Sequence, residues 1–399
     1  MSTTVMVVNA GSSSLKIKVL PQRHSITVER LGVANGYASA SFFASKVALS
    51  LSSHREALAF CLDALTEVLP RDAITAVGHR VVHGGERYRE PVLLDHAVVE
   101  EIAALSALAP LHNPANVETI RATMMAMQDL PQVAVFDTAF HSTLPKRAFL
   151  YGLPRRLYEE SGLRKYGFHG TSHDYVTRRA AEQLKRPRER MKLISLHLGN
   201  GSSAAAVDGG RSIDTSMGFT PLDGLLMGTR TGEIDPGVLL FLLRGGMPYE
   251  DLHTLLYKDS GLLGLSGVSS DMRDIRKASA EGDRASQEAL EVFCYRIRKT
   301  IGAYAAVMGG LDAIIFTGGI GENDAEVRRD SLVGLGFLGI VLDPDRNRKH
   351  STVVSKLESR VALLVIPTDE EQLIAESVRA VLTNKHLESQ DAFSKGGTG

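Results

Sequence analysis

Cysteine is scarce in this chain: Cys61 and Cys294 are the only two in 399 residues. They lie far apart and lack metal-ligand spacing, which excludes a disulfide framework. An excess of either charge is also missing. With 45 Lys and Arg against 46 Asp and Glu, the formal net charge is −1, so no global field draws the chain to nucleic acid or a membrane. No apolar run is long enough to span a bilayer. The N-terminus runs almost at once into an apolar strand rather than a basic region and an apolar helix, so no secretory leader is expected and the cytoplasm is the expected location. Familiar catalytic motifs are absent as well. There is no GxxxxGK[ST] loop, which excludes a P-loop enzyme, and Gly319-Ile320-Gly321 lacks the third glycine of a dinucleotide fingerprint. His79-Arg80-Val81 is not the HRD of a protein kinase. His169 and His173 stand four apart without an HExxH pattern, so zinc is not expected.

What is present points to two α/β domains. A chain of 399 residues is too long for one comfortable core. The stretch Met191 to Val207, MKLISLHLGNGSSAAAV, reads as an apolar strand, a tight Gly199-Asn200-Gly201 turn and a second short strand. Bare backbone N–H groups beside Ser202 and Ser203 suit a phosphate, although an ordinary hairpin with a serine-rich tip has the same pattern. Val5 to Leu20, VMVVNAGSSSLKIKVL, repeats the strand, glycine–serine turn and strand about half a chain earlier. The repeat suggests a duplicated domain with a cleft between the halves. A third glycine stretch, Thr317 to Asn323, follows an apolar strand, and a helix is expected to start at Asn323; helix starts favour anions.

Other segments supply candidate side chains. Ser14 and Lys16 share a face of a strand, where Lys16 can meet a phosphate or lie solvated, and Asn9 can hold a metal-bound water. His54 to Leu69 has the apolar spacing of an amphipathic helix. Ala76 to Gly85 is an apolar strand ending in glycines. Its Arg80 calls for an anion, either a substrate carboxylate or an Asp or Glu of the chain, and Val82 on the same face would touch a short apolar tail. Asp137 follows the strand Gln132 to Phe136, where ligands of open α/β sheets bind. His141 is expected to pack or cap. His169, between Phe168 and Gly170, is expected to be exposed on a flexible turn, facing a phosphoryl oxygen or simply solvent. Met217 to Gly237 is long, irregular and glycine-rich, as binding loops are, and Arg230 is its strong cation. Ser266 to Asp274 turns from loop to helix and can line a nucleoside pocket or only cap. Glu288 to Met308 reads as a long helix ending at Gly309-Gly310. Acidic residues at Asp369 to Glu371 are ordinary helix-start caps, and the tail after His386 is expected to be disordered.

Taken together, VVNAGSSSLK, HRVVHGGE, VFDTAFH, YGFHGTSH, HLGNGSS, MGTRTGEIDPG, SSDMRD, FTGGIGEN and IPTDEE run in order from Val7 to Glu371. In these stretches the sequence strongly resembles the acetokinase family, the acetate kinases. The resemblance implies a duplicated actin-like (ribonuclease H-like) α/β fold with a central nucleotide cleft. Its implied domains are 1–138 plus 369–399, closed by the C-terminal helix, and 139–368. It further implies ATP and ADP as substrates, Mg²⁺ or Mn²⁺ at Asn9 and Glu370, and a homodimer. Asp137, His169 and Arg230 would be catalytic; Arg80 would hold the substrate carboxylate beside Val82, Leu111, Phe168 and Pro221. Ser14, Lys16, His197, Leu198, Gly199, Asn200, Gly201, Asp271, Met272, Arg273, Gly319, Ile320, Gly321, Glu322 and Asn323 would hold the nucleotide. Three positions depart from the family: Thr231 where Cys is common, Glu233 where Asp is common, and Met272 where an aromatic is frequent, which bears on base stacking. The implied reaction phosphorylates acetate to acetyl phosphate. A carboxylic acid of pKa ~4–5 is already ionised at neutral pH, so the nucleophile needs no general base and the difficulty is two anions meeting. A slightly larger acid such as propionate, or a non-catalytic ATP-regulated protein on the same fold, are the competing expectations.

Overall fold

The computed structural model describes residues 3–110 and 112–395. The chain forms two compact units, Met1–Ala139 with Asp369–Gly399, and Phe140–Thr368. In the first unit the strands are β1 (Val5–Ala10), β2 (Ser14–Leu20), β3 (His24–Glu29), β4 (Gly36–Ala40), β5 (Val47–Leu49), β6 (Ala76–Val81), β7 (Val92–Leu93) and β8 (Gln132–Phe136). They form one sheet in the order β5-β4-β3-β2-β1-β6-β8-β7. β1 is apolar at nearly every position because both its faces are covered. Met6 and Val8 pack under the helix His54–Leu65, whereas Val5 and Val7 meet Ile374 and Val378 of the last helix. That helix seats closely on β6, where a methyl group on Gly78 would lie 2.8 Å from both Ile374 and Val378.

The second unit holds β9 (Lys192–Leu198), β10 (Ser202–Asp208), β11 (Arg211–Thr215), β12 (Ala313–Thr317) and β13 (Ala362–Val365), in the order β11-β10-β9-β12-β13. The long helix Arg284–Met308 covers one face and the helix Gly170–Leu184 the other. β9, β10 and β11 are antiparallel, and β12 and β13 run parallel to β9. The first unit repeats this with β1, β2 and β3 antiparallel and β6 and β8 parallel. The repeat seen in the turns is thus a repeat of topology, and both glycine–serine turns join the first two strands of their sheets.

Three local expectations are corrected. The helix expected over His54–Leu69 ends at Leu65, with the Thr66 hydroxyl donating to the Asp63 carbonyl at 2.6 Å. No loop precedes a helix at Asn323: a short helix already spans Gly318–Asn323, and a second runs from Ala325 to Leu332. Gly318, at φ +77, turns the chain sharply off β12, and the Glu322 carboxylate accepts its N–H at 2.9 Å. The last helix spans Glu370–Lys395, so the backbone over 387–395 is helical where disorder was expected, and residues 396–399 of that tail lie outside the described residues; residues 387–395 contain no glycine or proline to stop the helix. Among the described residues no helix is long and apolar enough to cross a membrane.

Candidate active site

In the first unit the candidate residues gather at the carboxyl ends of β1, β6 and β8, where open sheets bind ligands. Asn9 and Arg80 are register partners on the parallel strands β1 and β6, and Asp137 follows β8 directly. The Arg80 guanidinium joins them: Nη2 donates to Asp137 Oδ2 at 2.8 Å and Nη1 to Asn9 Oδ1 at 3.3 Å, while Nε lies 3.6 Å from Glu370 Oε2. Arg80 therefore meets carboxylates of the chain itself. Burial alone would lower its pKa, but the charges of Asp137 and Glu370 outweigh it and the net shift is upward. Asp137 is only 1% exposed, so its carboxyl group is buried against this guanidinium. Lys16 pairs with Glu371 at 2.5 Å and Lys18 with Asp369 at 2.7 Å. The carboxylates opening the last helix thus hold the cations of β2, beyond the plain capping their position suggested. Ser14 begins β2, and its carbonyl closes the first turn by accepting the Gly11 N–H at 2.8 Å.

Beyond Asn9 and Arg80 the two parallel strands separate, and a buried asparagine fills the fork. Asn116 Nδ2 donates to the Ala10 carbonyl at 2.7 Å, and its Oδ1 accepts the Val82 N–H at 3.0 Å. Asn113 does the same for His83, accepting its N–H and donating to its carbonyl, both at 3.1 Å. Val82 is thereby fixed in place, and Leu111 lies outside the described residues. Neither asparagine was singled out from the sequence; the one available signal was that both share the helical spacing of Val117 and Ile120, and so fall on the buried stripe of the helix Asn113–Ala126.

In the second unit the β9–β10 turn is the organising piece. Its Gly199 N–H donates to Gly201 O at 3.1 Å and the Ser202 hydroxyl to Gly199 O at 3.1 Å. The bare Cα of Gly201 faces two cationic or protonatable groups: a Cβ there would lie 2.7 Å from Arg230 Nη2, 3.4 Å from His169 Cε1 and 3.5 Å from His169 Nε2. Arg230 reaches it from the irregular segment between β11 and the helix Pro236–Arg244, with Nη1 donating to the Pro221 carbonyl at 2.6 Å. Burial pushes the Arg230 pKa down, and among the described residues it makes no ion pair. Unlike Arg80, it is a partly desolvated cation whose anion must come from elsewhere. His169 is not the exposed residue on a flexible turn that its glycine neighbours suggest. It sits half-buried at φ +56, a conformation uncommon for a non-glycine residue, with Phe168 buried beside it. Its Nδ1 lies 2.9 Å from Ser203 Oγ, and its ring, tilted by 32°, lies 4.3 Å from that of His197, whose Nδ1 meets Ser172 Oγ at 2.7 Å. His141 packs as expected, with Nδ1 on Ser212 Oγ at 2.8 Å and Nε2 on the Phe168 carbonyl at 3.1 Å.

A cavity of about 650 Å³ opens beside this turn, lined by Gly199, Asn200, Asp271, Met272, Arg273, Gly319, Ile320 and Asn323, with Ser270, Arg276 and Asp324. Its size lies within the range of small-molecule sites, and it unites three sequence stretches more than a hundred residues apart at the extremes. Asp271 both lines the cavity and caps the helix Met272–Ala280, accepting the Arg273 N–H at 2.9 Å. Arg276, held by Asp324 at 3.0 Å, was not anticipated; its repeat four residues after Met272 was the signal. His197, Leu198, Gly201, Gly321 and Glu322 do not line this cavity. Glu322 instead serves as the internal cap of its own short helix. Ser14, Lys16, Asn9, Arg80, Val82, Asp137 and Glu370 belong to the first unit, and Phe168, His169, Pro221 and Arg230 to the second.

Asn9 and Glu370 offer hard oxygen donors, both turned toward Arg80. Among the described residues no cluster of three or more His, Cys, Asp or Glu could hold a metal ion. That donor set fits Mg²⁺, which keeps most of its waters and binds through one or two protein oxygens plus phosphates.

The model of the acetokinase family matches residues 4–376. The acetate kinase of Bacillus subtilis (strain 168) is 50% identical over 387 residues, spanning 94% of this chain and 98% of the relative. Among solved structures, Porphyromonas gingivalis acetate kinase superposes with a TM-score of 0.91 at 40% identity, covering 96% of this chain and 100% of that one. A propionate kinase from Francisella tularensis superposes with a TM-score of 0.90 at 39% identity, covering 95% and 100%.

Proposed function

Because the chain belongs to the acetokinase family, we propose that it transfers the γ-phosphoryl group of ATP to acetate, reversibly, giving acetyl phosphate and ADP. The observation that carries this reading is the convergence of Arg230 and His169 on the bare Cα of Gly201, beside a nucleotide-sized cavity. A phosphoryl group passing between two anions needs positive charge on its equatorial oxygens more than it needs a base. Arg230, desolvated and unpaired, supplies it, and His169 donates from Nε2. The acid is ionised before it binds, so Asp137 has no proton to remove. Its 2.8 Å bond to Arg80 holds that guanidinium in line to receive the substrate carboxylate, with Val82 against the methyl group. Lys16 leaves Glu371 to reach the nucleotide phosphates. Asn9 and Glu370 would hold Mg²⁺, which, when bound, offsets phosphate charge. Chelation with EDTA is expected to stop turnover, and added Mg²⁺ or Mn²⁺ to restore it.

The structural likeness to a propionate kinase keeps propionate as the second reading, since one methylene discriminates by only about 10–200-fold. Trapping the product with hydroxylamine across formate, acetate, propionate and butyrate tests both. Acetate is expected to give the highest kcat/KM. A maximum at propionate establishes the second reading, and no hydroxamate from any acid rejects both. A homodimer is part of the same proposal. The helix Pro236–Arg244 leaves Leu240 65% and Phe241 76% exposed, an apolar face suited to a second copy, and light scattering on the purified protein reads the mass directly. The cytoplasm is the proposed location.

A further inference from the structure

The second unit contains more histidine and serine than phosphoryl transfer uses, and they form one chain of hydrogen bonds. In β9 the side chains of Ser195 and His197 share a face, and Ser203 of β10 lies opposite His197. The first turn of the helix Gly170–Leu184 covers that face and brings Ser172 and His173 down onto it, both fully buried. His173 touches neither the glycine turn nor the cavity. Its Nδ1 lies 2.9 Å from Ser195 Oγ and its Nε2 2.8 Å from Ser203 Oγ, and that same Oγ lies 2.9 Å from His169 Nδ1. The order is therefore Ser195, His173, Ser203, His169.

Counting hydrogens along this chain decides its direction. A serine hydroxyl has one hydrogen to give, and a neutral imidazole has one N–H and one lone pair. Burial, foremost, with the neighbouring histidines, pushes the His173 pKa well down, so it is neutral. One arrangement satisfies every group. The Ser195 hydroxyl donates to His173 Nδ1, His173 Nε2–H donates to Ser203, and the Ser203 hydroxyl donates to His169 Nδ1. His169 then carries its proton on Nε2, the nitrogen 3.5 Å from the Gly201 position and next to Arg230. The reverse arrangement would turn a bare lone pair toward an anion and repel it.

We propose that Ser203 and His173 are positioning residues, which keep the proton of His169 on the nitrogen that faces the transferred phosphoryl group. The catalytic part of this claim rests on the proposed function above; the tautomer does not. Selective ¹⁵N labelling of histidine reads it directly, with the His169 signals assigned by their loss in His169→Gln. The expected wild-type spectrum has His169 as the Nε2–H tautomer. In Ser203→Ala the signals shift toward a mixture of tautomers, kcat falls about 10–100-fold, as for other residues that orient a functional imidazole, and KM for ATP and acetate stays within about twofold. Ser203→Thr keeps the hydroxyl and retains both tautomer and turnover. Ser195→Ala, one link further away, moves the tautomer in the same direction. An Nδ1–H tautomer in the wild type, or Ser203→Ala with an unchanged tautomer, overturns the relay. A shifted tautomer together with a fully active His169→Gln upholds the relay and rejects the catalytic role of His169.

Discussion

Gly201→Ala separates the site from the fold. Gly201 is not among the residues with positive φ, so alanine meets no backbone strain there. Such a replacement, where the backbone permits it, stabilises by about 0.4–1 kcal/mol through the unfolded state. The new methyl group, however, would lie 2.7 Å from Arg230 Nη2, where ordinary contact begins at 3.4 Å. The guanidinium is the far end of a flexible side chain, so it yields rather than the backbone, and it must move by roughly 0.7 Å or more. Displacements near 1 Å in a positioned catalytic group cost up to about 10²-fold, equivalent to ~2.7 kcal/mol of barrier. The expected variant has kcat lower by about 30–100-fold and a melting temperature unchanged or slightly raised. Turnover by ADP release and melting by calorimetry measure the two. Adding Gly201→Ala to Arg230→Ala is expected to cost almost nothing further, because the displaced group is already gone. Turnover within about threefold of wild type in the single variant, with the fold intact, would show that Arg230 does not act at this turn.

Arg230→Ala itself is expected to lower kcat roughly 10³-fold, by analogy with arginine fingers; steady-state assays with saturating ATP and acetate check it, and near-normal turnover rejects the role. Asn116→Ala strands the Ala10 carbonyl and the Val82 N–H, both buried, at about 1–3 kcal/mol each; urea unfolding is expected to show a total loss of about 2–6 kcal/mol. Stability should also fall with acid. Burial pushes His79 and His83 down to about 4, below the ~6.5 of an unfolded histidine, so the unfolded chain takes up protons first. The stability these two carry is complete above that unfolded value and is lost as pH falls from there toward 4, by up to ~2.7 kcal/mol per pH unit for the pair. Urea midpoints from pH 7 to 4.5 measure the slope, and His79→Gln, which keeps a polar group near Gln132, is expected to remove one proton from it.

Period-two patterning and Asn-Gly chemistry are local, and what they control was legible. The β9–β10 hairpin and its turn follow from residues 193–207 alone, and β8 begins and ends where its apolar run does. The order of strands in each sheet depends on crossovers, and only the repeated turns hinted at it. Gly318 to Gly321 misled because glycine reads as loop, whereas a carboxylate four residues on supplied the missing cap and made a helix. The stretch 387–395 misled because polar composition was taken for disorder, although nothing in those residues breaks a helix. The Arg80 environment was legible as a need for an anion but not as to which one, since the choice between substrate and Asp137 depends on strands β6 and β8 lying side by side. The serine–histidine chain was half-visible in the alternation Leu193, Ser195, His197; the covering helix that completes it comes from another part of the sequence.

The amide wedged between β1 and β6 has an evolutionary corollary. One side chain, Asn116, grips the peptide after Ala10 and the peptide after Val81, so the backbone at Val82 and the turn that follows β1 are tied together. On the proposed function, a lineage that enlarged its substrate by sliding the backbone at Val82 would drag the turn at Ala10 with it and disturb the phosphates that turn would meet. On that reading, drift in acid preference is channelled into swaps of side chains around Val82 on an unmoving main chain.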